Sequence, residues 1–431
     1  MFGVIAKNIL AQGFGKVGTV LLSLATTALL TRLLGLEGYG AYTFIAALVL
    51  FFGTLSDWGT NIIAVREATQ QREQQPVIFG SIITFRLLLS VVAFIALNLV
   101  IRINPGWSNF VLATTVASFI LFALSLKTSF TIIFHTLLKL EKSAIVEVFS
   151  SVLFLGLVFL SFLSKGDLVS VMAAWFVATM AAGALALILA VRAARIVWGL
   201  DTKKIGRIFK EALPTGALFF VFYIYNRVDT VILEHFQGSA AVGTYGLAYR
   251  VHDNLVLGAA FLMNAVFPLF SKKFAGFAPF TSLRTYYQKV FDILLIAAVL
   301  VLISTFLFAP LVVRILGGDQ FYQSIGVLRI LALGTFFAYF NHLTGYSLIA
   351  FGKQRISLLI AVLALSFNVL ANFIFIPLYS YSAAAIITVA TEVLVLLLSS
   401  IAIWKTIGMF PSLFSFPKTW VVLLRSRGKS F

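Results

Sequence analysis

Ten ionisable side chains interrupt otherwise apolar stretches of the 431-residue chain: Asp57, Arg86, Lys127, Arg227, Asp229, Arg250, Asp253, Asp292, Arg329 and Glu392. In hydrocarbon a charged group costs roughly 2.5–3.5 kcal/mol even on insertion scales. Such residues therefore face one another or a polar cavity. The chemistry open to them is ion pairing, carriage of a proton or cation, and capture of an anion. In the first half, Asp57 ends one apolar run and Arg86 lies eight residues into the next, a depth of about 12 Å. Lys127 sits at matching depth in the following run. Two cations and one anion make a positive vestibule that suits an anionic headgroup. The competing reading is that Arg86 and Lys127 snorkel to the interface, with Asp57 neutralising one of them or capping a helix end.

In the second half, Arg227 and Asp229 lie deep in one run, while Arg250, Asp253 and Asn254 share one helix face through spacings of three and four. Arg–Asp pairing that locks a helix bundle is one reading. The other is a protonatable or ion-binding carboxylate held beside a cation. Tight pairing opposes proton uptake, so Asp229 and Asp253 couple to an ion only if a transport state breaks the pair. Glu392 has no charged neighbour in its own run and is either a proton site or a neutral hydrogen-bonding group. Asp292 is expected to pair with Lys289, and Arg329 to snorkel outward. Arg86, Lys127, Asp57 and Arg250 are thus the candidates for holding substrate, and Asp229, Asp253 and Glu392 for ion coupling. Among Pro214, Pro268, Pro310 and Pro377, Pro268 beside Asn264 is the best hinge candidate, because proline removes a backbone hydrogen bond and kinks a helix.

The elements that must carry these groups follow from composition. The chain is 61% hydrophobic and 11% charged, against roughly 45–50% and about 25% for soluble domains. Such a chain cannot cover itself in water. A spanning helix needs about 20 apolar residues, and twelve spans fit: 9–33, 39–65, 78–103, 108–134, 144–164, 168–192, 211–236, 240–270, 287–316, 322–350, 354–378 and 381–407. The first is read as a permanent helix rather than a cleaved leader. Gly13, Gly15 and Gly18 within it favour close helix packing. The expected architecture is all-α and polytopic, with no soluble domain between spans.

Lysine and arginine outside the spans fall on alternate loops, with Arg32, Arg102, Lys165 and Arg314 as the exceptions. This pattern places both termini in the cytoplasm. The net charge of +17 is then a consequence of topology. It points to anionic lipid headgroups rather than nucleic acid. The loop 193–210 is the longest basic connection. It divides a six-span N-terminal lobe, 1–192, from a six-span C-terminal lobe, 211–407, with a basic cytoplasmic tail at 408–431 in which Trp420–Leu424 is expected at the interface. Gly35, Gly40 and Tyr42 recur as Gly238, Gly243 and Tyr245 at one offset, with Lys289 opposite Arg86. Parallel repeats of this kind occur in transporters.

Other chemistries find no footing. The chain has no cysteine, hence no thiolate metal site, disulfide or cysteine nucleophile. There is no phosphate-binding glycine loop and no zinc-type histidine pair. His135, His235, His252 and His342 lack metal-ligand spacing. The sequence offers no enzyme active site, metal or organic cofactor.

Several local patterns, in order along essentially the whole chain, resemble lipid-linked oligosaccharide flippases of the multidrug/oligosaccharidyl-lipid/polysaccharide exporter superfamily. They are Asp57-Trp58-Gly59 with Arg66; Pro214 and Asp229; Gly243-Thr244-Tyr245-Gly246; Ala265-Val266-Phe267-Pro268-Leu269; and Asn368, Asn372 to Pro377, Ala383-Ala384-Ala385 and Glu392. The chain departs from this pattern at Tyr379-Ser380-Tyr381-Ser382, where relatives often carry a glycine-containing turn. That departure is expected to alter only a loop. The resemblance implies two parallel six-helix lobes around a central cavity in the cytoplasmic membrane. It also implies alternating access, with a proton or sodium gradient as candidate drive. The expected activity is transfer of undecaprenyl-pyrophosphate-linked oligosaccharide to the outer leaflet for O-antigen, capsule or related envelope glycan. Polysaccharide-assembly proteins are candidate partners. A lipid II flippase is expected to carry two further helices. The rival readings are a proton- or sodium-coupled multidrug exporter of the same fold and, in another class, a polytopic scaffold or glycan polymerase.

Overall fold

Without water, a backbone amide must be satisfied inside its own helix, and the long apolar runs fold accordingly. The computed structural model describes residues 2–275, 280–408 and 410–412; the side chains of 2–14, 265, 267–275, 280–282 and 407 fall outside that description. The helices are α1 (Phe2–Asp57), α2 (Thr60–Gln70), α3 (Gln75–Ile103), α4 (Val111–Ser118), α5 (Ile120–Thr136), α6 (Leu140–Leu163), α7 (Leu168–Val191), α8 (Thr202–Ala275), α9 (Phe280–Gly317), α10 (Ser324–Ala350) and α11 (Gln354–Ile407). No strand occurs among the described residues. Among the described residues, nine helical segments are long and apolar enough to cross a membrane. Three of these are double-length and break at Gly35, Gly238 and Ser380, so the twelve expected spans are recovered.

The breaks are informative. Gly35 has φ 67°, ψ −170° and Gly238 has φ 77°, ψ 177°. That region is essentially restricted to glycine, and both occurrences fall at equivalent positions of the sequence repeat. Ser380 adopts φ 55°, ψ −140° between the last two spans. A side chain therefore stands in a conformation that glycine tolerates better. Two spans are less regular than the apolar pattern predicts. Span 2 stops at Asp57 because Trp58 and Gly59 both turn left-handed, with φ 41° and 70°. Span 4 is assembled from a 3-10 turn, Pro105–Phe110, followed by α4 and α5.

Packing divides the chain into two compact units: Met1–Gly243 with Arg314–Phe321, and Thr244–Val313 with Tyr322–Phe431. In the first, α1 packs on α6, α5 on α7 and α3 on α5, around Phe79, Ile82, Phe130, Ile133 and Phe134. The 202–243 arm of α8 belongs to this unit. Phe209 stacks edge-on to Phe85, the Tyr223 hydroxyl donates to the Ala47 carbonyl, and Arg207 pairs with Glu67. The division by packing thus falls at 243, well after the loop 193–210. In the second unit α10 packs on α11, around Tyr287, Phe291, Leu294 and Phe340. Gly15 bears out the close-packing expectation, since a Cβ there would sit 3.3 Å from Ala144 Cβ, whereas Gly18 has open space. Pro268 falls within α8, but its surroundings, like Trp420–Leu424, lie outside the described residues.

Asp201 caps α8. Its carboxylate accepts from the Lys204 N–H at 3.1 Å and pairs with the Lys204 ammonium at 3.2 Å. These contacts, the backbone N–H foremost, hold its pKa below the ordinary aspartate value.

Ser380→Gly should raise the thermal midpoint in detergent, because strain of about 1–3 kcal/mol exceeds the roughly 0.5–1 kcal/mol of added chain entropy; Gly238→Ala should lower it. The Asp201 cap is fully stabilising above the unfolded pKa, about 3.9, and is lost as pH falls through the depressed folded value. In an acid titration of the melting midpoint, Asp201→Ala should lose stability above that pH and show a shallower acid decline.

Candidate functional site

The break after α1 sets up the first cluster. Gly59 lies so close to α8 that a Cβ on it would stand 2.7 Å from the Gly216 nitrogen. Only two glycines permit this approach, and it fixes where Asp57 ends α1. From α3, Arg86 reaches the same place, with its Nη2 2.9 Å from Asp57 Oδ1. The same nitrogen donates to Thr128 Oγ1 at 2.9 Å. That hydroxyl is free to accept because it gives its own proton to the Leu124 carbonyl at 2.8 Å. Arg86 is 2% exposed, yet its Nε and Nη1 have no hydrogen-bond partner among the described residues. Two buried guanidinium nitrogens without a protein partner among the described residues are unusual, since such groups are nearly always satisfied. Asp57 is the more accessible member, with a third of its side chain exposed.

Lys127 does not join this cluster. It is also buried, but its ammonium pairs with Glu147 of α6 at 3.1 Å. The arrangement is two separate pairs, Arg86–Asp57 and Lys127–Glu147, in place of one positive vestibule. Glu147 falls within the expected span 144–164 but is not among the ten groups singled out from the sequence. It is nonetheless legible afterwards: Lys127 and Glu147 stand equally far from the turn at Leu137 that joins antiparallel α5 and α6. A third cluster, unanticipated in the sequence, ties α2 to the start of α8. Buried Glu67 accepts from Arg207 and Gln71, each at 2.5 Å, and Arg66 pairs with Glu211.

The other candidates scatter. Asp229 is 1% exposed and accepts from the Thr230 N–H at 2.6 Å; Arg227 is half-buried. Both belong to the first unit, whereas Arg250 and Asp253 belong to the second. Arg250 is exposed, and its carbonyl accepts from Asn254 at 2.8 Å. Glu392 is half-buried and takes the Asn341 amide at 2.7 Å. The hydrogen-bonding reading of Glu392 thus gains a partner 51 residues away in sequence. Asp292 accepts from Gln288 at 2.8 Å, while Lys289 is exposed and makes no ion pair among the described residues. The expected Asp292–Lys289 pair is therefore replaced by a neighbour one turn away, and the repeat that sets Lys289 opposite Arg86 does not extend to their environments. Arg329 lies over the Phe306 ring at 5.6 Å. His252 is buried against Thr335 at 2.7 Å. Asn368 donates to Thr391 at 3.2 Å and receives Asn372 at 2.9 Å. No group of three or more His, Asp and Glu able to hold a metal ion occurs among the described residues.

Comparison with known proteins gives the following. The family described as polysaccharide biosynthesis protein matches residues 5–274, and the MatE family matches residues 214–374. An uncharacterised membrane protein of Methanocaldococcus jannaschii, MJ1068, is 29% identical over 168 residues, 38% of this chain, and the match spans only 33% of that relative's length. Among solved structures, the lipid II flippase MurJ in an inward closed conformation superposes with a TM-score of 0.76 at 14% identity, over 98% of this chain and 94% of that one. An inward-facing multidrug resistance MATE family transporter of the MOP superfamily superposes at 0.73 with 15% identity, over 93% and 99%. These likenesses establish the fold.

The two ion pairs should differ in weight. Asp57→Asn should destabilise by at least about 2 kcal/mol, short of the roughly 3–5 kcal/mol of a fully buried pair because Asp57 is partly exposed. Glu147→Gln, whose carboxylate is half-exposed, should cost under about 1 kcal/mol. Thermal unfolding of both variants in the same detergent checks the order.

Proposed function

The chain belongs to the polysaccharide biosynthesis protein family, and on that premise we propose that it is a flippase. Its cargo is a polyprenyl-pyrophosphate-linked oligosaccharide, moved from the inner to the outer leaflet of the cytoplasmic membrane for cell-envelope polysaccharide. Membership of the MOP superfamily, with its multi-pass transporter fold, supports transport over catalysis. The alternation of basic loops supports cytoplasmic termini.

One observation carries the substrate assignment: Arg86 is buried, with two donors unused and a partly exposed carboxylate as its counter-ion. A pyrophosphate offers several acceptor oxygens and more negative charge than Asp57. In a low-dielectric surrounding, that difference is amplified. The headgroup enters by taking over Arg86, whose bidentate geometry suits phosphate. Asp57 is released toward the polar side, and the reverse exchange discharges the cargo. Thr128 holds the guanidinium in place during the exchange. The polyprenyl tail stays in lipid throughout. Lys127 and Arg250 remain secondary contacts of this proposal, and Asp229, Asp253 and Glu392 its candidates for proton or sodium coupling. Glycan-assembly proteins are the partners such a flippase would serve.

The MatE match over residues 214–374 favours one second reading, a proton- or sodium-coupled exporter of small molecules. The two are separated in proteoliposomes carrying a fluorescent undecaprenyl-pyrophosphate oligosaccharide. Wild type should move it between leaflets. Arg86→Ala should reduce the rate at least about a hundredfold, in line with loss of a charged hydrogen-bond partner of about 3 kcal/mol, and Arg86→Lys should restore part of it. Normal translocation by a folded Arg86→Ala protein would sink the role given to Arg86. Absence of translocation by wild type would turn the assignment to the exporter.

A further inference from the structure

The stretch joining α7 to α8 has no regular secondary structure from Arg195 to Val197, yet it is fastened along its length. The Val197 N–H donates to the Pro76 carbonyl at 2.9 Å. The Asp201 N–H donates to Ser81 Oγ at 3.0 Å. Between these, the backbone lies flush on Gly80, where a Cβ would collide with the Val197 carbonyl and stand 3.2 Å from the Trp198 Cα. Ala194 and Ile196 pack inward on the core of the first unit. The intervening Arg195 and Val197 point outward, as the alternation of an extended chain requires.

What the strap presents is an unexpected mixture. Trp198 is 58% exposed, with Val197 and Leu200 each at 40%. Around them Arg192, Arg195, Lys203 and Lys210 are exposed and have no ion-pair partner among the described residues. The neighbouring Lys204 and Arg207, by contrast, are engaged by Asp201 and Glu67. The depth of the strap is set by Gly80, which lies two residues, about 3 Å, past the start of the apolar run 78–103 of α3. Trp198 is therefore held near the start of that run, and the start of an apolar span is the level at which tryptophan is enriched. Apolar side chains directed into that boundary with unpaired cations beside them match an anionic lipid surface in both respects.

We infer that residues 192–203 form a membrane-surface anchor: Val197, Trp198 and Leu200 enter the interface, and Arg192, Arg195 and Lys203 hold anionic phospholipid headgroups there. The partner is the leaflet beside the linker. Its anionic lipids would gather at the entrance to α8 whatever the cargo proves to be.

The absence of cysteine makes a direct test possible in the full-length protein. Single-cysteine variants Val197→Cys and Leu200→Cys, with Glu73→Cys on the exposed 3-10 turn as the aqueous control, are labelled with a polarity-sensitive fluorophore and placed in nanodiscs of phosphatidylcholine with one part phosphatidylglycerol. Labels at 197 and 200 should be quenched by lipid brominated near the headgroup and shielded from iodide, and the label at 73 should behave oppositely. Separately, the triple variant Arg192→Gln, Arg195→Gln and Lys203→Gln should retain its melting temperature. Its selectivity for spin-labelled phosphatidylglycerol over phosphatidylcholine should fall about twofold or more. Iodide reaching positions 197 and 200 as readily as 73 would overturn the anchor and leave a strip facing water, suited to a soluble protein. Unchanged lipid selectivity in the folded triple variant would overturn the headgroup assignment.

Discussion

A guanidinium taken out of water must be met by a carboxylate or by enough oxygen to replace its hydration, and much of the first unit is arranged around that demand. Asp57 meets Arg86 only because α1 ends where it does. It ends there because Trp58 and Gly59 leave helical geometry. Gly59 sits there because the backbone of α8 comes within reach at Gly216. The chain from one ion pair to a helix break to a helix–helix approach runs through three segments far apart in sequence. Incomplete satisfaction is the other half of the same fact. Arg86 is compensated well enough to stay buried and poorly enough to keep donors in reserve. A fully satisfied arginine would be a structural rivet, and one left alone would not remain in the interior.

The fold was legible because lipid imposes a simple rule on sequence. Apolar runs long enough to span are helices, and the rule located all twelve spans. It does not say where a span breaks internally. Trp58 and Gly59 fall inside an apolar stretch, and only the left-handed backbone there divides it. The kinks at Gly35 and Gly238 were legible in another way, as a repeated glycine whose meaning became clear once both showed the same backbone angles. Ser380 shows the limit of that approach. Its sequence marks a departure from a glycine turn, while its backbone still takes a left-handed φ of 55°.

The candidate site was legible in its members and illegible in its pairings. Intramembrane charges announce themselves by their cost, so Asp57, Arg86 and Lys127 stood out. Which charge meets which depends on helix rotation and on partners outside the apolar core. Glu147 was overlooked because it sits near a helix start and reads as a surface residue, although it neutralises Lys127. Glu67 falls just past the expected end of span 2, reads as a loop residue and proves to be buried. Asn341 carries no charge and gives no signal, yet it supplies the partner of Glu392. Neutral amides and hydroxyls such as Asn341 and Thr128 do much of the polar work inside this protein, and a search for charge does not register them.

The placement of the first arm of α8 bears on biogenesis. Residues 202–243 belong to the first compact unit, so six spans emerging from the ribosome do not yet make a finished body. The seventh must be delivered and laid against its neighbours before the early helices have their full set of contacts. A chaperone or insertase guarding the nascent chain would have to hold those six spans open across the synthesis of the strap. A gene divided at residue 200 would ask two separate polypeptides to rebuild an interior that the intact chain closes on itself.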